Sequence, residues 1–385
     1  MGKIDELIKQ FCPDGVKKVP IGDVLDYEQP SKYIVKSTEY DNSYNIPVLT
    51  AGKGFLLGYT NEQTGVYAAS EENPTIIFDD FVTSFHWVDF PFKVKSSAMK
   101  MLTCKDKVNS FRFIYYAMCE IGFVAKEHSR HWISVYSKIE IPLPPLAVQK
   151  EIVEILDTFT GMIDNLQKEL EQRQKQFDYY RDSLFMFKSN IKYEELGKLC
   201  LIKGRIGFRG YTKNDFVEFK KGAISLSPGD IKDNQLHFDN CSYISWDKYE
   251  QSPEIVVECG DILLCKTGST VGKTAIVQEL PWKATINPQF VILKNVELNN
   301  KYLFYALCLP CTQIEIKRLA GVGSVPNVSQ AKLAKVKIPI PSLDKQQEIV
   351  DKLDTFEALI SNIKQEIELR QKQYEYYREK LLSFE

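Results

Sequence analysis

The sequence predicts an α+β chain in which two globular α/β bodies are separated by two long antiparallel coiled-coil helices, related by a pseudo-twofold internal duplication. Three observations predict it. One segment occurs twice, at Lys138–Phe187 and Lys335–Phe384, with about 26 of 50 positions identical in a gapless alignment. Each copy carries an apolar period of seven residues. The stretches outside the copies read as short strands broken by Gly- and Asp-rich turns.

The first body is expected at residues 1–145 and the second at 188–342. Strand candidates are Ile46–Thr50 and Thr75–Phe78 in the first, and Ala223–Leu226, Asp261–Cys265 and Gln289–Leu293 in the second. Each body also carries one short amphipathic helix, near Phe111–Ile121 and Lys301–Ile316. A weak echo marks each entry, Val19-Pro-Ile-Gly-Asp-Val24 against Glu194-Glu-Leu-Gly-Lys-Leu199. Between the repeated segments the bodies share little that aligns. The helices stayed similar and the bodies diverged, which suggests one scaffold carrying two different recognition surfaces.

The helices are expected at 146–187 and 343–385. Pro142, Pro144 and Pro145 precede the first and Pro339 and Pro341 the second, where proline's missing donor and restrained neighbour forbid helix. The apolar seam then runs Ile152, Leu156, Phe159, Ile163 to Tyr180 and Leu184 in the first copy. In the second it runs Ile349, Leu353, Phe356, Ile360 to Tyr377 and Leu381. Steps of four and three alternate, a coiled-coil stripe of ~40 residues or ~60 Å. Arg173 and Arg370 interrupt the seams at matching places; each must reach a carboxylate or snorkel out, and could fix register. The first helix leads away from body one and the second returns from body two, so the expected geometry is an antiparallel pair with a body at each end.

Composition bounds the function. The 385 residues are 44% hydrophobic and 26% charged, ordinary for a folded chain and unlike a disordered or collagenous one. No apolar run approaches the ~20 residues of a membrane span. Met1–Gln10 has no apolar signal core, and nine cysteines without regular spacing read as reduced thiols, so a cytoplasmic location is expected. The net charge of −2 hides a distribution. The helices carry about −3 each, the first body about −2 and the second about +6. The helices are thus poor phosphate partners, and the second body is charged as a DNA-facing domain would be.

Several motifs suggest chemistry and fail on inspection. Thr267-Gly-Ser-Thr-Val-Gly272-Lys273-Thr274 resembles a phosphate loop but lacks its first glycine and sits between strand-like stretches, with no helix N-terminus for a nucleotide. Asn287-Pro-Gln-Phe290 resembles the catalytic tetrapeptide of adenine methyltransferases without its second proline, and no Gly-rich cofactor loop accompanies it. Cys308-Leu-Pro-Cys311 and His128-Ser-Arg-His131 lie in different bodies and make no plausible zinc set, so no metal is expected. Asp79, Asp80 and Asp89 lack a nuclease pattern. No catalytic residue is assigned. Basic and aromatic residues do mix in loops, at Lys53 and Tyr59, His86 and Trp87, Arg130 to Trp132, and Arg205 to Tyr211.

Taken whole, the chain resembles the specificity (S) subunit of type I restriction–modification systems. The most specific elements are the tails, Ile141-Pro-Leu-Pro-Pro-Leu146 with Gln149 and Glu151, and Ile338-Pro-Ile-Pro-Ser-Leu343 with Gln346 and Glu348. Asn45-Ile-Pro-Val-Leu-Thr-Ala-Gly52, Arg130-His-Trp132 and Gly260-Asp-Ile-Leu-Leu264 are similar to the family's target-recognition domains. Ser342 departs from the second proline of the pattern. The resemblance implies a non-catalytic, sequence-specific DNA-binding subunit. Its two target-recognition domains would each read half of an asymmetric bipartite site in double-stranded DNA. Its helices would set the spacer and dock two modification (methyltransferase) subunits, which two restriction (translocase/nuclease) subunits can join. No cofactor is expected in this chain; S-adenosylmethionine, ATP and Mg belong on the partners, which methylate adenine N6 and cleave DNA.

The residues expected to contact DNA are Lys53, Tyr59, Trp87, Arg130 and His131 in the first body. In the second they are Arg205, Arg209, Lys266, Ser269, Lys273 and Asn327. Arg130 and Asn327 match under the duplication offset, the best argument for that pair. Two other classes compete. A structural coiled-coil adaptor binding proteins at both ends would show no salt-sensitive DNA affinity. A methyltransferase in its own right would need the motifs that are missing.

Overall fold

The computed structural model describes residues 2–52, 54–106, 108–125, 127, 129–187, 191–205, 212–321 and 323–384. The chain divides into two units, one of residues 1–168 with 365–385 and one of residues 169–364. Each contains one body and a segment of both long helices, which run Leu146–Leu184 and Leu343–Ser383. Among the described residues no helix is long and apolar enough to cross a membrane.

In the first unit, strand Lys18–Pro20 pairs antiparallel with Glu140–Pro142, and the chain then turns through a single helical turn, Ile21–Val24. In the second, Lys192–Glu195 pairs with Lys337–Ile340 and Leu196–Leu199 makes the same turn. The echo in the sequence is therefore a structural repeat. It also explains a shared glycine. A Cβ on Gly22 would stand 3.0 Å from the Ser137 carbonyl oxygen, and one on Gly197 would stand 2.7 Å from Ala334 Cβ.

The bodies share a topology that their sequences do not reveal. The first holds a four-stranded antiparallel sheet in the order Leu25–Glu28, Met99–Cys104, Thr75–Asp79, Phe85–Val88. The second holds Leu201–Lys203, Phe290–Lys294, Ile262–Cys265, Thr274–Ile276 in the same order and sense. A second sheet packs beside each. Its parallel pair is Ile46–Leu49 with Lys93–Val94 in the first body, and Ala223–Leu226 with Ala284–Ile286 in the second. This second sheet has three strands in one body and five in the other.

Alternation along the central strands builds two cores in each unit. Ile76 and Phe78 face a core that includes Tyr116, Trp132, Ile152 and Leu156, whereas Ile77 faces Leu49, Val88 and Phe92. Ile262 and Leu264 face Tyr302, Ile349 and Leu353, whereas Leu263 and Cys265 face Ile224, Ala284 and Phe290. Strands covered on both faces read as continuous apolar runs, which is why Thr75–Phe78 and Ile262–Cys265 stand out in the sequence.

The expected second-body helix at Lys301–Ile316 is two helices, Asn300–Cys308 and Pro310–Ala320. Pro310 has no N–H to continue the first, and it holds Leu309 extended at φ −62°, ψ 140°.

The helix seam packs as its period requires. In the first unit Ile152, Leu156 and Ile163 share a core with Tyr374, Leu381 and Leu382, and Phe159 stacks on Tyr377. In the second, Ile349 and Leu353 pack with Phe177 and Leu184, Phe356 stacks on Tyr180, and Ile360 is buried. The partner's number falls as the first helix's rises, so the pairing is antiparallel. Arg173 and Arg370 do not bridge the helices. Arg173 binds Glu169 and Gln176, and Arg370 binds Glu366 and Gln373, each on its own helix and half exposed. Snorkelling along one helix keeps the charge wet, and register falls instead to the buried seam and the stacked rings.

Candidate nucleic-acid interface

The long helices hold each body through the same two side chains, a glutamine and an aspartate. Gln149 accepts from Ser110 N (2.8 Å) and donates to Pro144 O (2.7 Å), tying the N-cap of Phe111–Cys119 to the helix start. Gln346 does the same with Asn299 N (3.0 Å) and Pro341 O (3.0 Å). Asp157 accepts from the Tyr116 hydroxyl (2.5 Å) and pairs with Arg112 (2.8 Å), while Asp354 accepts from Tyr305 (2.8 Å) and pairs with Lys301 (2.5 Å). Burial, reinforced by the facing carboxylates, pushes both phenols well above their ordinary value, so each remains a donor. A mount follows whose glutamine and aspartate are residues the repeat retains.

On each mount, four loops meet at one rim. In the second body the hairpin 266–273 joins Ile262–Cys265 to Thr274–Ile276. Lys266 N donates to Gln289 O (2.8 Å), Gly268 N to Pro326 O (2.8 Å) and Val328 N to Lys266 O (2.9 Å). Asn287 N donates to Leu226 O (2.9 Å), and Lys273 Nζ reaches Pro228 O (2.8 Å). Loops 227–230, 266–273, 287–289 and 325–327 are thereby fixed to one another. Gly268 and Gly272 hold φ of 91° and 92°, which only glycine adopts without strain.

The first body repeats the arrangement. Asp80 N donates to Ala98 O (2.8 Å), His131 N to Asp80 O (2.8 Å), Lys95 N to Leu49 O (3.1 Å) and Ser84 Oγ to Ala51 O (2.5 Å). Its hairpin is anchored by charge. Asp80 is buried, pairs with buried Lys100 (3.0 Å), accepts from Trp132 N (2.8 Å) and meets Arg130 (3.4 Å).

Of the expected DNA contacts, Arg130 and Asn327 occupy equivalent places on the two rims. Arg130 is 50% exposed and lies over the Phe81 ring at 5.6 Å. Asn327 is exposed and accepts from Thr267 Oγ1 (2.8 Å). Ser269 is exposed on the hairpin and Lys266 half-buried at its base. Lys273 belongs to the rim but spends its ammonium on Pro228 O.

Others are placed elsewhere. Arg205 is 4% exposed, and its guanidinium serves Ile286 O, Ser252 Oγ and Thr285 Oγ1, so it braces the second sheet rather than facing outward. His131 is 6% exposed and bonded to Glu127 O, and only its backbone takes part in the rim. Trp87 packs on Phe111 and Tyr115 under the Arg112 guanidinium (4.7 Å), an internal role. Tyr59 lies on the second sheet of its body beside an apolar pocket with Pro47, Phe55 and Phe90. Lys53, Arg209 and His128 lie outside the described residues. Cys308 and Cys311 sit on separate helices, and no group of three metal-ligating side chains occurs among the described residues.

Two rim segments lie outside the expected DNA contacts. Lys95 to Ser97 in the first body and Asn287 to Gln289 in the second are exposed or nearly so, at equivalent positions. Asn287 to Gln289 stood out only as part of an incomplete catalytic tetrapeptide and Lys95 to Ser97 not at all, because their place on the rim is set by bonds to hairpins far along the chain.

Comparison with known proteins agrees with this architecture. The family described as the type I restriction modification DNA specificity domain matches residues 13–173 and again 211–369. The chain is 39% identical to the EcoR124I/EcoR124II type I restriction enzyme specificity subunit of Escherichia coli, over 100% of this chain and 98% of that one. Its fold is similar to the crystal structure of the S subunit from M. genitalium (TM-score 0.61, 18% identity, 95% of this chain and 96% of that one). It is also similar to a chain from a structural study of assembly and conformational transition in the type I system (TM-score 0.55, 16% identity, 96% and 97%). Matched twice, along the two halves of an internal duplication, the chain belongs to the type I restriction–modification DNA specificity family.

Proposed function

We propose that this chain is the DNA-reading subunit of a type I complex and that its two rims read the two halves of an asymmetric site. One observation carries the reading: the same four-loop rim is built twice, with different side chains. Arg130 and Lys95 mark one, Asn327, Ser269 and Gln289 the other. Arginine favours the two acceptors of guanine, and amides favour the donor–acceptor pair of adenine, so the half-sites differ. Lys266 and, where hydrated, Lys95 serve the phosphates, which position without specifying.

The helices set the distance between half-sites and, with the mounts, dock two modification subunits; two restriction subunits can join. The chain itself is non-catalytic. It holds no cofactor, and S-adenosylmethionine, ATP and Mg act on the partners, where adenine N6 is methylated.

Methylome sequencing tests this reading in cells carrying the cognate modification subunit with or without this chain. A two-part, asymmetric N6-methyladenine motif that vanishes without the chain is expected. Its absence, with the modification subunit active beside another specificity chain, would refute the reading.

A further inference from the structure

We infer that Gln289 is a base-reading side chain of the second rim, that its target is an adenine, and that Asn287 is its positioning residue; this rests on the function proposed above. The two residues flank Pro288 in a tight turn closed by Phe290 N donating to Asn287 O (3.2 Å). Asn287 Oδ1 accepts from Gln289 N (2.9 Å), and Asn287 Nδ2 donates to Gln289 Oε1 (3.2 Å). The glutamine carboxamide is thus oriented before any ligand arrives. Among the described residues its Nε2 donates to nothing, and Oε1 keeps a second lone pair. Proline fixes its own φ in the turn, so less freedom is lost on binding.

Gly268, at φ 91°, lies on the neighbouring hairpin close to this amide; a Cβ there would make ordinary van der Waals contact, 3.8 Å, with Gln289 Nε2. The hairpin and the turn are locked together by Lys266 N on Gln289 O (2.8 Å). An amide with one donor and one acceptor free matches adenine, whose major-groove edge offers N7 as acceptor and the N6 amino group as donor. Guanine offers two acceptors and would set O6 against Oε1. In the first body the equivalent turn carries Ser97 and Ala98, which cannot make that pair.

The test is the methylome of cells expressing the full chain and its modification subunit, with Gln289→Ala, Gln289→Glu and Asn287→Ala variants. With Gln289→Ala, one A·T position in one half-site should relax by about ten-fold or more, the other half unchanged. Gln289→Glu, which cannot donate to N7, should reject adenine there. Asn287→Ala should relax the same position less. Three results overturn the inference: an unchanged motif with all three variants, a change confined to the other half-site, or loss of methylation across the whole site. A wild-type chain that yields no two-part motif would instead overturn the proposed function itself, and the assignment with it.

Discussion

Phe159 stacks on Tyr377 with ring centroids 5.2 Å apart and planes 21° apart, and the offset that carries Lys138 onto Lys335 turns this pair into Phe356 on Tyr180, at 5.1 Å and 24°. One contact is made twice, once in each unit. With the buried seam around it, the stack sets the register of the helices, whereas among the described residues Arg173 and Arg370 bond along their own helices. Phe159→Ala and Phe356→Ala should each lower stability by about 2 kcal/mol, less than a fully buried phenylalanine because both are partly exposed. The losses should add in the double variant, as the rings share no partner. Denaturant unfolding checks this; a double variant no worse than either single one would show that the stacks do not act separately.

The same equivalence extends to a half-length chain. Residues 1–187 retain Phe159 and Tyr180, so two copies can rebuild both stacks between them. We expect that fragment to be a dimer by sedimentation, with Phe159→Ala weakening it. A folded monomer would contradict the contact equivalence.

Asp80 is the anchor of the first rim. Removing it strands buried Lys100 without its partner and frees the Trp132 amide. Asp80→Ala should therefore cost about 3–5 kcal/mol, far above the median for a surface pair. A change below about 1 kcal/mol by denaturant melt would show that the buried pair contributes little.

Alkaline pH should destabilise the chain in steps. Burial pushes the Cys119 thiol up to about 11 and the Cys200 thiol to about 12, from an ordinary value of 9.0. Tyr116, Tyr136, Tyr302 and Tyr305 are all driven upward from 10.0, chiefly by burial. In each case the unfolded chain ionises first. The stabilisation is complete below pH 9 and is lost as pH rises, beginning with the thiols and continuing past 10 with the phenols. Melting temperature against pH between 7 and 11 measures it; a flat profile above 9.5 would contradict the burial of these groups.

Much of this architecture was legible in the sequence because it is periodic. Ile152 to Leu184 and Ile349 to Leu381 announce their seam in every heptad, and the gapless repeat announces the pairing. The common topology of the bodies was not legible. It resides in the order of strands two to six residues long, and bonds such as His131 N on Asp80 O and Val328 N on Lys266 O join positions far apart in sequence. Side-chain exposure was the other blind spot. Arg205 reads as a loop cation beside glycine, yet three internal acceptors bury it; Trp87 reads as a groove aromatic, yet Phe111 and Tyr115 cover it. The duplication offset did place Arg130 and Asn327 at equivalent rim positions, because a position held on both mounts keeps its place while its side chain is free to change.

That pair supplies the most direct test of two rims reading two half-sites. Methylomes would be compared for Arg130→Ala and Asn327→Ala, each in the full chain with its modification subunit. The account predicts that each variant relaxes positions in one half-site only, and that the two variants affect opposite halves. Relaxation of the same half by both, or of both halves by either, would contradict it.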